Sequence, residues 1–143
     1  MLEYSFIIFA DYFQIIFADL ASVDKLSTES YEVNLTKYIF VSDGYFTINT
    51  LRNYDVNVVI KIFHGEPDVE ERICDIVALG EIECRSGTIA VMSPTSYIGD
   101  INKFDLPIGN YSVKLCVYNT DSIDFNQTHG EEVYEISFWA QTK

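Results

Sequence analysis

Pro107-Ile108-Gly109-Asn110-Tyr111-Ser112-Val113-Lys114-Leu115-Cys116-Val117 decides how the rest of the chain is read. Pro107 fixes φ and Gly109 frees it, which is the chemistry of a turn. Past the turn, Val113, Leu115 and Val117 alternate with Lys114 and Cys116. A period of two puts the apolar side chains on one face of a strand and the charge on the other. Val56-Asn57-Val58-Val59-Ile60-Lys61-Ile62 behaves in the same way. Tyr, Phe, Ile, Val and Thr fill the apolar runs throughout, and such residues suit a pleated, half-buried surface.

Outward from these two segments, strands are expected at Thr36–Val41, Tyr45–Thr50, Asp55–Phe63, Ile73–Cys84, Thr88–Met92, Asn110–Tyr118 and Val133–Ala140. Tyr4 to Ala18 carries an echo: Ile7-Ile8-Phe9-Ala10-Asp11 returns as Ile15-Ile16-Phe17-Ala18-Asp19. Its β-branched and aromatic content favours one long bent strand, or two strands, over an amphipathic helix. Ser42-Asp43-Gly44 fits a hairpin loop, because Asp-Gly accepts positive φ. His64-Gly65-Glu66-Pro67 and Arg85-Ser86-Gly87 are further turns. Asp24 to Asn34 is expected to hold a helical turn. The pattern is all-β: a single-domain antiparallel β-sandwich or jelly roll of about 7–9 strands over residues 1–143, with a closed barrel as runner-up.

Charge carries the functional information. The chain has 22 Asp and Glu against 9 Lys and Arg, a net charge of −13. Gly65 to Glu83 holds seven acids against Arg72, and Asn119 to Glu135 holds five acids and no base, so these two stretches account for 11 of the 13 excess charges. A hydrophobic content of 48% with 15% aromatic separates the chain from disordered acidic tails. A one-signed field of this kind repels phosphate backbones and steers basic partners, so a direct nucleic-acid ligand is excluded and a basic protein is favoured.

The N-terminal run Met1-Leu2-Glu3-Tyr4-Ser5-Phe6 lacks a basic leader, and no stretch reaches the length of a membrane span. The expectation is a cytoplasmic protein with no membrane contact. Cys74, Cys84 and Cys116 are odd in number and lack C-x-x-C spacing. They are expected as buried reduced thiols, with a Cys74–Cys84 bridge as the alternative.

Catalytic patterns are missing. His64 and His129 have no second ligand at zinc spacing. No G-x-S-x-G elbow, dinucleotide fingerprint or P-loop occurs. Asp121-Ser122-Ile123-Asp124-Phe125-Asn126 and Glu66 to Glu71 are oxygen-rich but do not match the spacing of an EF-hand. No cofactor and no catalysis are therefore expected. A calcium- or carbohydrate-binding β-sandwich module is the alternative to a protein-binding one. Tyr97, Tyr118, Phe125 and Trp139 are candidate aromatic anchors, since Tyr and Trp are enriched among interface hot spots.

Three stretches resemble the ComJ family of competence-associated nuclease inhibitors. They are Phe13-Gln14-Ile15-Ile16-Phe17, then Ser42-Asp43-Gly44-Tyr45-Phe46-Thr47-Ile48 followed by Arg52-Asn53 and Val56–Phe63, and Phe104-Asp105-Leu106-Pro107-Ile108-Gly109-Asn110-Tyr111-Ser112-Val113. The resemblance implies a small intracellular bacterial protein that binds and silences a nuclease, or an immunity partner of a nuclease toxin. The two acidic stretches depart from the family pattern. Glu66, Asp68, Glu70, Glu71, Asp121, Asp124, Glu131 and Glu132 are accordingly expected to mimic phosphates at the partner's active site, with Phe125 and Tyr118 as anchors.

Overall fold

In Gly109–Tyr118 the alternation is realised in three dimensions: Tyr111, Val113, Leu115 and Val117 are buried, while Ser112 and Lys114 are half-buried on the opposite face. The computed structural model describes residues 1–27, 38–68, 73–96 and 101–142. Within them lie ten strands: β1 (Leu2–Phe9), β2 (Gln14–Asp19), β3 (Ile39–Ser42), β4 (Tyr45–Asn49), β5 (Asp55–Phe63), β6 (Ile76–Cys84), β7 (Thr88–Met92), β8 (Asn102–Asp105), β9 (Gly109–Tyr118) and β10 (Val133–Ala140).

The strands form two five-stranded sheets, ordered β1-β5-β10-β9-β6 and β3-β4-β2-β7-β8. One buried cluster draws on both. Ile8, Val58, Ile60, Leu115, Ile136 and Phe138 come from the first sheet, and Phe17, Phe46, Ile89 and Phe104 from the second. Phe46 lies 6.0 Å from Phe138 and Phe104 lies 5.4 Å from Phe138, ring centre to ring centre, so the aromatic core joins the sheets.

The all-β expectation holds, with two corrections. The described residues contain ten strands rather than 7–9. The additional one, β8, is only four residues long and mostly polar, which gave no periodic signal. The first sheet is not wholly antiparallel, because β10 pairs in parallel with β5, Val133 opposite Asn57 through Trp139 opposite Phe63. The echo in the N-terminal segment falls on two strands in different sheets, so its copies have different surroundings. Ile7 and Phe9 are exposed in β1, whereas Ile15 and Phe17 are buried in β2. The helical-turn expectation is met over Leu20–Ser27, and its remainder lies outside the described residues.

The cysteines also require correction. Cys74 and Cys116 form a disulfide, and Cys84 alone is a buried free thiol. Spacing could not show this pairing. β5 and β6 are on opposite sides of the first sheet and begin at the same end of it, so their connection must travel back along the sheet. That return brings Cys74 to β9. Such bridges persist mainly in oxidising compartments. Burial raises the Cys84 thiol pKa, and its Sγ–H donates to the Leu106 carbonyl at 3.2 Å. No helix among the described residues is long and apolar enough to cross a membrane.

The bridge closes a loop with a sequence separation of 42, for which chain entropy gives a stabilisation of about 4 kcal/mol. Cys74→Ser is expected to lower the urea midpoint accordingly, with the same midpoint for the variant whether or not dithiothreitol is present. A wild-type midpoint indifferent to dithiothreitol, with two thiols titrating as reduced, would show that the bridge contributes nothing.

Candidate partner-binding surface

At one end of the molecule β9 finishes and β10 begins, and the intervening segment, residues 119–132, is the second acidic stretch. Asn119 opens it in the left-handed region at φ 62°, followed by a single 3-10 turn, Thr120–Ser122. The first acidic stretch meets it there. Asp75 accepts hydrogen bonds from the Thr120 backbone N–H at 3.0 Å and from its hydroxyl at 2.8 Å. These bonds, the backbone one first, lower the Asp75 pKa.

Asp124 organises the middle of the loop. It accepts the backbone N–H groups of Thr128 at 2.8 Å and His129 at 3.1 Å, and the Thr128 hydroxyl at 2.8 Å. The carboxyl is held at about 2, chiefly by the His129 N–H, with Thr128 adding to the effect. His129 Nδ1 is 3.3 Å away on the exposed side.

Glu132 closes the loop from inside. Its Oε2 accepts from Arg52 Nε at 2.7 Å, with side-chain exposures of 0% for the glutamate and 4% for the arginine. Arg52 also donates to the carbonyls of Thr128 at 3.3 Å, Asp55 at 3.1 Å and Gly130 at 3.5 Å. A Cβ on Gly130 would stand 2.6 Å from Glu132 Oε1 and 3.1 Å from Arg52 Nε, so the approach demands glycine. Next to the pair, the Leu51 N–H donates to the Tyr134 hydroxyl at 2.8 Å.

The sequence-derived residues therefore separate. Asp121, Phe125 and Glu131 are exposed on the loop. Asp124 is half-buried and its oxygens are occupied by the loop itself. Glu132 is corrected: it is an interior ion pair and presents nothing to a partner, because its one formal charge is balanced by Arg52. Tyr118 is half-buried on β9. Glu66 and Asp68 are exposed, but they follow Phe63 at the opposite end of the first sheet. Glu70, Glu71 and Tyr97 lie outside the described residues.

That opposite end holds a hollow of about 580 Å³ lined by Asp43, Glu81 and Glu83 among others. Arg85 partly neutralises it, bonded to Glu83 at 2.9 Å and to Asp43 at 3.0 Å. Among the described residues no group of three or more His, Cys, Asp or Glu is arranged to hold a metal ion. Arg52 is the organising residue that charge mapping passed over, since a lone base in a turn has no pattern. Its only sequence signal was its place in the family resemblance.

No protein-family model matches this sequence, and no curated protein sequence matches it. Solved structures do. The crystal structure of ComJ from Bacillus subtilis, described as the inhibitor of the DNA-degrading activity of NucA, superposes with a TM-score of 0.71 at 15% identity, covering 99% of this chain and 96% of ComJ. The chain has a ComJ-like fold. A second structure with the ComJ-like fold, the product of crocagin biosynthetic gene J, gives 0.66 at 16% identity over 99% of this chain and 100% of its own.

Removing one member of a buried ion pair costs about 3–5 kcal/mol. Arg52→Met is expected to fall in that range by urea unfolding and to open residues 119–132 to protease; unchanged stability would refute the clamp. Asp75 and Asp124 ionise at lower pH folded than unfolded. Their stabilisation is thus complete above about pH 4 and is lost as pH falls toward 2. Asp124→Asn is expected to flatten the decline in melting temperature across that window, and an unaltered profile would exclude Asp124 as its source.

Proposed function

We propose that this chain is a binding protein without catalysis of its own, which silences a basic DNA-degrading nuclease or nuclease toxin by covering its active site. The observation that carries the reading is the ComJ-like fold over 99% of the chain, combined with a net charge of −13. A nuclease active site grips phosphate with Lys and Arg. Exposed carboxylates can occupy those positions and are drawn there over long range. Asp121 and Glu131 supply them at the loop end, with Phe125 as an apolar anchor, and Glu66 and Asp68 extend the field from the other end. The two sheets act as the layers of a β-sandwich that holds the loop rigid.

The test begins with tagged chain purified from its native cells, and with DNA degradation by the nuclease that comes with it. Inhibition is expected, with an association rate that drops by about tenfold between low and high salt. Asp121→Lys with Glu131→Lys is expected to raise the half-inhibitory concentration by about tenfold. Inhibition insensitive to salt and to charge reversal would remove the electrostatic mechanism, and a partner with no nuclease activity would remove the nuclease reading.

A further inference from the structure

Only four aromatic side chains are exposed among the described residues: Phe9, Tyr12, Tyr54 and Phe125. Sequence separates them by more than a hundred residues, yet the fold gathers all four at the loop end. Phe9 is opposite Asp55 in the β1–β5 register. Ala10 N–H donates to the Tyr54 carbonyl at 3.0 Å. Thr50 N–H donates to the Phe13 carbonyl at 2.9 Å, and Arg52 ties the same connection to Thr128. Residues 10–13, 50–54 and 119–132 are thus one continuous rim. A random scatter of four exposed aromatics over the surface would not give this.

The same rim holds the chain's local strain. The non-glycine residues with positive φ among the described residues are Tyr12 (57°), Phe13 (60°), Asn119 (62°) and Gln127 (59°), and all four belong to it. An aromatic residue gains nothing intrinsic from the left-handed region, and such strain persists only where surrounding structure enforces it. Here the enforced turn leaves the Tyr12 side chain 60% exposed instead of turning it into the core.

Charge fixes the occupant. Asp11, Asp55, Asp121 and Glu131 lie on or next to the segments that carry the aromatics. In the three connecting segments the sole Lys or Arg is Arg52, which is buried. A second copy of this acidic chain would meet like charge. We infer that the Phe9–Tyr12–Tyr54–Phe125 rim is the apolar centre of a protein–protein interface whose partner presents a basic surface around an apolar hollow. Large aromatic anchors inside a polar ring are how such interfaces concentrate their affinity. The inference deepens the inhibitor reading by naming its contact surface, and rests on that reading only for the partner's identity.

The test uses the full chain, labelled with ¹⁵N, and two probes: the amidated tripeptides Lys-Trp-Lys and Lys-Gly-Lys. Lys-Trp-Lys is expected to shift the amides of residues 9–13, 54–55 and 119–131, and to bind at least about threefold more tightly than Lys-Gly-Lys. Tyr12→Ser with Tyr54→Ser, whose side chains are exposed, should keep the melting temperature and abolish that difference. Shifts centred on the Asp43–Glu81–Glu83 hollow, or equal binding of the two peptides, would overturn the surface. So would a dimeric mass that the double variant converts to monomer, since the occupant would then be a second copy. Rim mapping combined with absent nuclease inhibition would remove the nuclease identity and leave the surface standing.

Discussion

The buried pair of Arg52 and Glu132 is the interaction on which the rest of this molecule depends. Arg52 sits in the connection from β4 of one sheet to β5 of the other, and Glu132 directly precedes the first residue of β10. The pair therefore joins the sheets at their loop end, where backbone pairing between them is not possible. Taking two charges out of water is costly unless the remaining donors and acceptors are met. Arg52 meets its side of that condition by donating to three backbone carbonyls as well, and through those of Thr128 and Gly130 it holds the end of the acidic loop, whereas Glu132 Oε1 is left buried without a hydrogen-bond partner.

This arrangement changes what the acid surplus means. Part of it is internal structure: Glu132 neutralises a buried base, Asp124 shapes the loop, and Asp75 fastens the returning crossover to Thr120. What remains exposed at the loop end, Asp121, Glu131 and Asp55 beside the half-buried Asp11, is smaller in number but set on segments that hydrogen bonds tie together. Rigid charge binds with less loss of conformational freedom than the same charge on a mobile tail. The loop-end surface thus owes its definition to acids whose oxygens are taken up by the fold itself.

Much of the fold was legible. Period-two alternation located β5 and β9 to within a residue, because one face of each strand has to be apolar, and β-branched and aromatic runs between turns located β7 and β10 as closely. The features that escaped detection are those decided by distant partners. The parallel β5–β10 pairing, the Cys74–Cys116 bridge and the insertion of β8 depend on topology, for which local pattern has no record. The site divided in the same way. Asp121, Phe125 and Glu131 were readable as exposed loop residues. Glu132 was misread because an acid next to Glu131 in an acidic run gives no sign of burial. Phe9, Tyr12 and Tyr54 were not among the candidate anchors, since nothing local distinguishes an aromatic that fills the interior from one held outside, as Tyr12 is, by a left-handed turn.

The position of β10 has a consequence for how the chain reaches its native state. This strand is made late in synthesis, yet it is inserted between β5 and β9 in the first sheet. Until Val133–Ala140 has emerged, β5 and β9 each carry an unsatisfied edge, with Val58, Ile60, Val113 and Leu115 lacking their central neighbour. Open hydrophobic edges recruit other chains, and contacts spanning such long sequence separations form slowly. The first sheet cannot close before β10 is made, so a chain truncated ahead of Val133 is an aggregation hazard in a way that the finished sheet is not.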